Sequence, residues 1–205
     1  MKLQPKFITL EGVDGAGKST HIDFIKSYFE LKSLEHIVTR EPGGTVTGEK
    51  IREMLLNDEI SPITESLLMF AARSEHLSLV IYPNLRNEVT VISDRFTDAS
   101  YAYQSGGKGV SNSIIRQLKM IVQEDLEPDL TLLFDLPVEV SIERLNNTRV
   151  LDRFEKQDYE FHQRVRETYL KIANENKHRF HIIDSTKNIN HIQDEITKIL
   201  DINIE

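Results

Sequence analysis

The run Gly12-Val13-Asp14-Gly15-Ala16-Gly17-Lys18-Ser19 constrains this chain more than any other stretch. It is a glycine, four residues, then Gly-Lys-Ser, with Thr20 following. Before it stands a short apolar stretch, Phe7-Ile8-Thr9-Leu10. After it, His21, Ile22, Phe24, Ile25, Tyr28 and Phe29 recur at helical spacing. Strand, glycine-rich turn and helix in that order make a nest, because glycines let consecutive backbone N–H groups turn inward. Such a nest at a helix N-terminus cradles phosphate oxygens. Lys18 then reaches the β- and γ-phosphates, and the Ser19 hydroxyl faces Mg²⁺. The expected ligand is a nucleoside triphosphate.

Beyond the loop, β-rich apolar runs alternate with helical patterns. The spacing predicts strands at 6–10, 36–40, 89–93, 129–136 and 180–183. It predicts helices at 18–31, 47–57, 63–84, 111–124, 137–146, 157–175 and 189–201. Alternation of this kind gives an α/β fold: a five-stranded, mostly parallel sheet with helices on both faces. No linker or repeat divides the chain, so residues 1–205 are expected to form a single domain with a short lid at about 144–156.

Ligands of such sheets bind at the carboxyl ends of the strands. The polar residues there are consistent. Strand one leads into the phosphate loop, strand two into Thr39-Arg40-Glu41-Pro42-Gly43-Gly44, and strand three into Asp94-Arg95-Phe96. Arg40 and Arg95 suit an acceptor phosphate, since a guanidinium can hold a phosphate monoester in two bonds. Arg95 could equally pair with Asp94 or Glu41. Asp94 suits Mg²⁺ held directly or through water, or a helix cap.

The segment from Arg144 to Arg153 carries three arginines, Arg144, Arg149 and Arg153. It reads either as a lid whose Arg149 or Arg153 closes over the transferring phosphoryl group, or as a solvated connection paired with Asp152 and Glu155. Phe70, Tyr101, Tyr103 and Gln104 taken alone could be core or ligand contacts.

Composition narrows the class. The chain is 39% hydrophobic and 28% charged with a net charge of −8. That balance argues against a general nucleic-acid binder. The absence of cysteine excludes disulfides, thiolate metal sites and a thiol nucleophile. No apolar run approaches the ~20 residues of a membrane span. Nor does Met1 to Lys6 form the apolar part of a signal peptide, so a cytoplasmic protein is expected.

Several of these segments occur together in one family. The phosphate loop, Thr39-Arg-Glu-Pro-Gly-Gly44, Phe70-Ala-Ala-Arg73, Asp94-Arg-Phe96, Ser100-Tyr-Ala-Tyr-Gln104 and Leu151-Asp-Arg153 come in order. With those spacings the chain resembles the thymidylate kinases of the bacterial type over nearly its whole length. The resemblance implies a P-loop kinase fold, transfer of the γ-phosphoryl group of ATP to dTMP with Mg²⁺ to give dTDP, and a homodimer. It implies that Gly12, Val13, Asp14, Gly15, Ala16, Gly17, Lys18, Ser19, Thr20 and Arg144 bind ATP, with Ser19 and Asp94 at the metal. Phe70 would stack on thymine and Arg73 would reach its O4. Ser100 and Gln104 would line the base pocket. Tyr103 would crowd the sugar 2′ position, and Asp14 would accept from the 3′-hydroxyl. Arg40 and Arg95 would hold the acceptor phosphate beside Glu41 and Pro42, whose peptide bond is one where cis costs little. Lys18, Arg95, Arg153 and Arg149 would be the catalytic cations.

The chain also departs from that pattern. Ala16 stands where some members carry an arginine, so the extra cation is expected from the lid. The lid reads Thr148-Arg149-Val150-Leu151-Asp152-Arg153 without the usual glycine, which favours Arg153 over Arg149. Ser105 and Lys108 replace the more common Gly and Arg. The alternatives to a dTMP kinase are a small P-loop kinase for another metabolite, or a nucleotide-dependent binding switch. The chain lacks the Asn-Lys-x-Asp motif of a guanine reader.

Overall fold

The computed structural model describes residues 6–146 and 152–204. Five strands form one sheet: β1 (Phe7–Glu11), β2 (His36–Arg40), β3 (Thr90–Asp94), β4 (Leu130–Asp135) and β5 (Phe180–Asp184). Their order across the sheet is β2-β3-β1-β4-β5, and every pairing is parallel. The central strands β1, β3 and β4 are buried almost throughout, and the edges β2 and β5 only in part. Strands covered on both faces carry apolar residues at successive positions rather than in strict alternation, which is why these three stand out in the sequence.

The helices are α1 (Lys18–Leu31), α2 (Val46–Asn57), α3 (Pro62–His76), α4 (Tyr82–Arg86), α5 (Thr97–Ser100), α6 (Asn112–Val122), α7 (Val138–Asn146), α8 (Tyr159–Glu175) and α9 (Ile189–Ile204). The main core gathers side chains of the sheet with those of α1, α8 and α9. A second cluster is formed by Phe7, Leu77, Ile81, Val91 and Phe96.

Two stretches differ from the pattern expected of them. The helix expected over 63–84 is α3 and α4 joined by a π-helical turn, Leu77–Ile81. Pro83 stands just beyond that turn. A proline has no N–H to give and its ring crowds the carbonyl four residues earlier, so a wider turn lets the helix continue. The stretch between β3 and α6, expected as a loop, is α5 followed by a π-helical segment, Tyr101–Gly107. It is packed against α8 so closely that a Cβ on Gly107 would fall on the Phe161 ring. Its Gly-Gly pair serves close approach, although in sequence it reads as a break.

The register aligns the strand ends: Leu10 and Arg40 both pair with Asp94, and Asp135 pairs with Asp184. The phosphate loop, the Arg40 turn and the Arg95 turn therefore open on one edge of the sheet.

Candidate active site

The phosphate loop leaves β1 with positive φ at Gly12, Gly15 and Gly17, and Gly17 caps α1. Any other residue at Gly12 would also put a Cβ on the Phe134 carbonyl. Lys18 is buried beneath the loop, where Nζ donates to the carbonyls of Gly12 at 3.1 Å and Val13 at 3.2 Å. Burial, reinforced by the charge of Arg95, lowers its pKa. Ser19 and Thr20 are exposed at the start of α1. They border a cleft of about 850 Å³ that also reaches Arg40, Asp94, Arg144 and Ser185. Arg144, at the end of α7, lies against the loop. Its Nη2 donates to the Ser185 carbonyl at 2.9 Å, and Nη1 is 3.5 Å from the Gly15 carbonyl.

Arg95 sits at the centre. Its φ of 72° turns the chain sharply off β3. Nη1 donates to the Gly12 carbonyl and the Tyr169 hydroxyl, and Nη2 to Asp14 Oδ1 and the Tyr103 hydroxyl. Tyr103 in turn donates to Asp14 Oδ2 at 2.7 Å. Burial by itself would raise the Asp14 carboxyl, but the charges of Arg95 and Lys18 and the Tyr103 hydrogen bond hold it well below the ordinary carboxylate range. Behind this group, Tyr169 donates to Glu11 Oε2, while Glu11 Oε1 accepts from the backbone N–H of Phe96.

A second, narrower pocket adjoins the cleft, and Asp14 and Arg95 line both. The Glu41-Pro42 peptide bond is cis, and both residues line this pocket. Glu41 is buried with Oε2 on Arg73 Nε at 2.7 Å and Oε1 on His76 Nδ1 at 2.9 Å. Arg73 Nη2 also donates to the Ser100 hydroxyl and the Phe96 carbonyl. Phe70 is fully buried, packed with Val110 and Ile115, its ring 4.5 Å from the Arg73 guanidinium. The α3 residue at the pocket surface is Met69, beside Tyr103 and Gln104 from the π-helical segment.

Arg40 reaches into the larger cleft but is paired with Glu49 at 2.9 Å and half exposed. Arg153, expected over the phosphoryl group, is placed elsewhere. Its Nη2 is bonded to Glu65, its Nε donates to the Leu55 carbonyl at 3.0 Å, and its guanidinium lies 4.8 Å from the Phe154 ring. A buried carboxylate and a carbonyl claim it, and its neighbours Asp152 and Phe154 line the narrow pocket. Arg149 lies outside the described residues.

The sequence model described as thymidylate kinase matches residues 10–196. The chain belongs to the thymidylate kinase family. It is 51% identical over 200 residues to the thymidylate kinase of Thiobacillus denitrificans, covering 98% of both chains. It is 49% identical over 201 residues to that of Neisseria meningitidis serogroup B, covering 97% of this chain and 98% of the relative. Among solved structures, the thymidylate kinase of Ehrlichia chaffeensis superposes with a TM-score of 0.80 at 35% identity, over 96% of this chain and 98% of that one. The architecture is accordingly the P-loop kinase fold of that family.

Family membership raises the question of Mg²⁺, and the residues fit it. Asp94 Oδ1 is buried without a hydrogen-bond partner, and it borders the same cleft as the exposed Ser19 hydroxyl. A hard cation takes oxygen donors of this kind.

Four residues of the site escaped the motif reading. Arg52, on α2, donates to the Pro42 carbonyl at 2.9 Å and borders both cavities. Glu11 ends a buried strand, and Tyr169 lies on α8. Glu65 is the one carboxylate on the buried face of α3, on a stripe with Met69 and Arg73. That stripe was the available signal.

Proposed function

We propose that this chain phosphorylates dTMP with ATP, giving dTDP and ADP by direct in-line transfer. The observation that carries the reading is the Asp14–Arg95 pair, which joins a triphosphate-binding loop to a second pocket lined by the same two residues. An oxygen of the dTMP 5′-phosphate attacks the γ-phosphorus, and the bond from that phosphorus to the ADP oxygen breaks. Such transfer asks for positioning and charge neutralisation and needs no covalent enzyme intermediate.

The N–H groups of residues 12–20, Lys18 and Arg144 hold the donor. Arg95, Arg52 and Arg40 surround the place of the acceptor phosphate. Arg73, backed by Phe70, serves the base with Ser100 and Gln104, while Tyr103 and Asp14 serve the sugar. Ser19 and Asp94 would hold Mg²⁺, which neutralises charge on the triphosphate. Removing that charge lets an anionic acceptor approach, and the arginines then keep the two phosphates in line.

The assembly we infer is a homodimer. Ile63 and Leu67 on α3, with Met120 and Ile121 on α6, expose apolar side chains on two helices that pack together. Its substrates are soluble nucleotides and no described helix is long and apolar enough to cross a membrane, which supports a cytoplasmic site of action. The test is ATP consumption with dTMP beside dUMP, CMP and shikimate. A preference for CMP or shikimate overturns the reading.

A further inference from the structure

Gln104, which lines the acceptor pocket, and Arg73, bonded to the lining residue Glu41, each hold a polar atom that is buried and bare: Gln104 Oε1 and Arg73 Nη1. Both side chains are otherwise committed. Gln104 Nε2 donates to Glu65 Oε1 at 2.9 Å, and Arg73 uses Nε on Glu41 and Nη2 on Ser100. Ser100, which accepts from Arg73, lies one turn before Gln104, so the bare donor and the bare acceptor belong to residues joined behind the lining of the pocket. Native proteins rarely leave such atoms unpartnered unless something else completes them.

Glu65 decides which atom of the Gln104 amide is left bare. Its carboxylate is fully buried, and its other oxygen receives Lys108 Nζ at 2.6 Å and Arg153 Nη2. A carboxylate gripped by two cations has only acceptors to offer. The Gln104 NH₂ must face it, and the carbonyl must face the other way.

We propose that Glu65 sets the base specificity of the acceptor pocket by locking the Gln104 amide, so that one acceptor and the Arg73 donor stand ready for a base carrying an N–H next to a C=O. Thymine and uracil present that imide edge. Cytosine presents the reverse, a bare ring nitrogen beside an amino group, and would set acceptor against acceptor and donor against donor. The inference rests on the acceptor being a pyrimidine nucleotide, as proposed above, and adds the residue that chooses among pyrimidines. Glu65 does not touch the base; it is a positioning residue. Lys108 and Arg153 keep its charge in place, which gives the displaced lid arginine a task outside phosphoryl transfer.

The probe is 5-methyl-dCMP, which keeps the size and methyl group of dTMP and reverses only the imide edge. The unmodified protein should prefer dTMP strongly. In Glu65→Gln the new amide can donate or accept, so Gln104 is free to flip. The ratio of kcat/KM for dTMP over 5-methyl-dCMP should fall about tenfold or more, through KM for the acceptor, with KM for ATP unchanged. Because two cations then lose their carboxylate, Glu65→Gln combined with Lys108→Met serves as a second variant, and the same fall is expected. Lys108→Met alone keeps Glu65 and Arg153 and should keep the ratio. An unchanged ratio in the folded Glu65 variants overturns the proposal, as does an unmodified protein that accepts both substrates equally. Failure to phosphorylate dTMP at all is a different result and overturns the functional reading.

Discussion

Asp14 Oδ1 lies 2.6 Å from Arg95 Nη2, so the donor loop and the arginine after β3 form one electrostatic unit. Asp14→Asn breaks that unit without changing its shape. The Asp14 carboxyl is held far below its ordinary value of 3.8, so its charged form favours the fold. That contribution is complete above about pH 4 and is lost as pH falls below it. The variant should therefore be less stable than the parent at neutral pH, and the gap should close in acid. Chemical denaturation at a series of pH values measures it. In steady-state kinetics, kcat/KM for dTMP should drop about 10–100-fold, the size of one charge-assisted hydrogen bond.

Glu11 carries the opposite sign. Burial, with the Asp98 charge added, outweighs Arg95 and pushes its carboxyl up from 4.5 to about 8. The folded chain thus holds a proton that the unfolded chain releases, and stability from this group is lost as pH rises from about 5 to 8. Glu11→Gln cannot lose that proton. Its melting temperature relative to the parent should climb across that interval and level off above it. A flat difference would show that Glu11 is ionised in the fold.

The phosphate loop, the central strands and the strand-end arginines were legible because each depends on near neighbours in sequence. Glycine spacing makes the nest, and burial on both faces makes β1, β3 and β4 mostly apolar. What was not legible depends on distant partners. Arg153 looked free to reach a phosphate, but Glu65, 88 residues away, holds it. Phe70 and Arg73 were recognised as a pair, yet nothing local says that Glu41 and Ser100 fix the guanidinium. The helical path through Tyr101–Gly107 was hidden because its glycines answer to α8 rather than to their own turn.

That capture of Arg153 separates two roles for the lid arginines. If Arg153 braces Glu65, Arg153→Ala should raise KM for dTMP while kcat stays within about threefold of the parent, since ground-state contacts move KM alone. Arg144, beside the Gly15 carbonyl, faces the donor cleft. Arg144→Ala should lower kcat by about 10²-fold or more, in the range found when a transition-state cation is removed. A large kcat loss in Arg153→Ala would instead return that residue to the phosphoryl group.

Asp94 offers the most direct check on the metal. Its Oδ1 is buried with no protein donor, an arrangement that costs stability unless a cation or its water completes it. Asp94→Asn removes the charge and keeps the volume. Relieved of an unpaired carboxylate, the metal-free variant should unfold no more easily than the metal-free parent. Its activity should need roughly tenfold more Mg²⁺ for half-saturation at fixed ATP, because one charged ligand contributes on the order of a kcal/mol or more to a hard-cation site. Mg²⁺ titrations of turnover, read beside melting curves with and without the ion, distinguish this from a simple capping role. A cap lost with Asp94 would lower stability in both conditions and leave the Mg²⁺ requirement where it was.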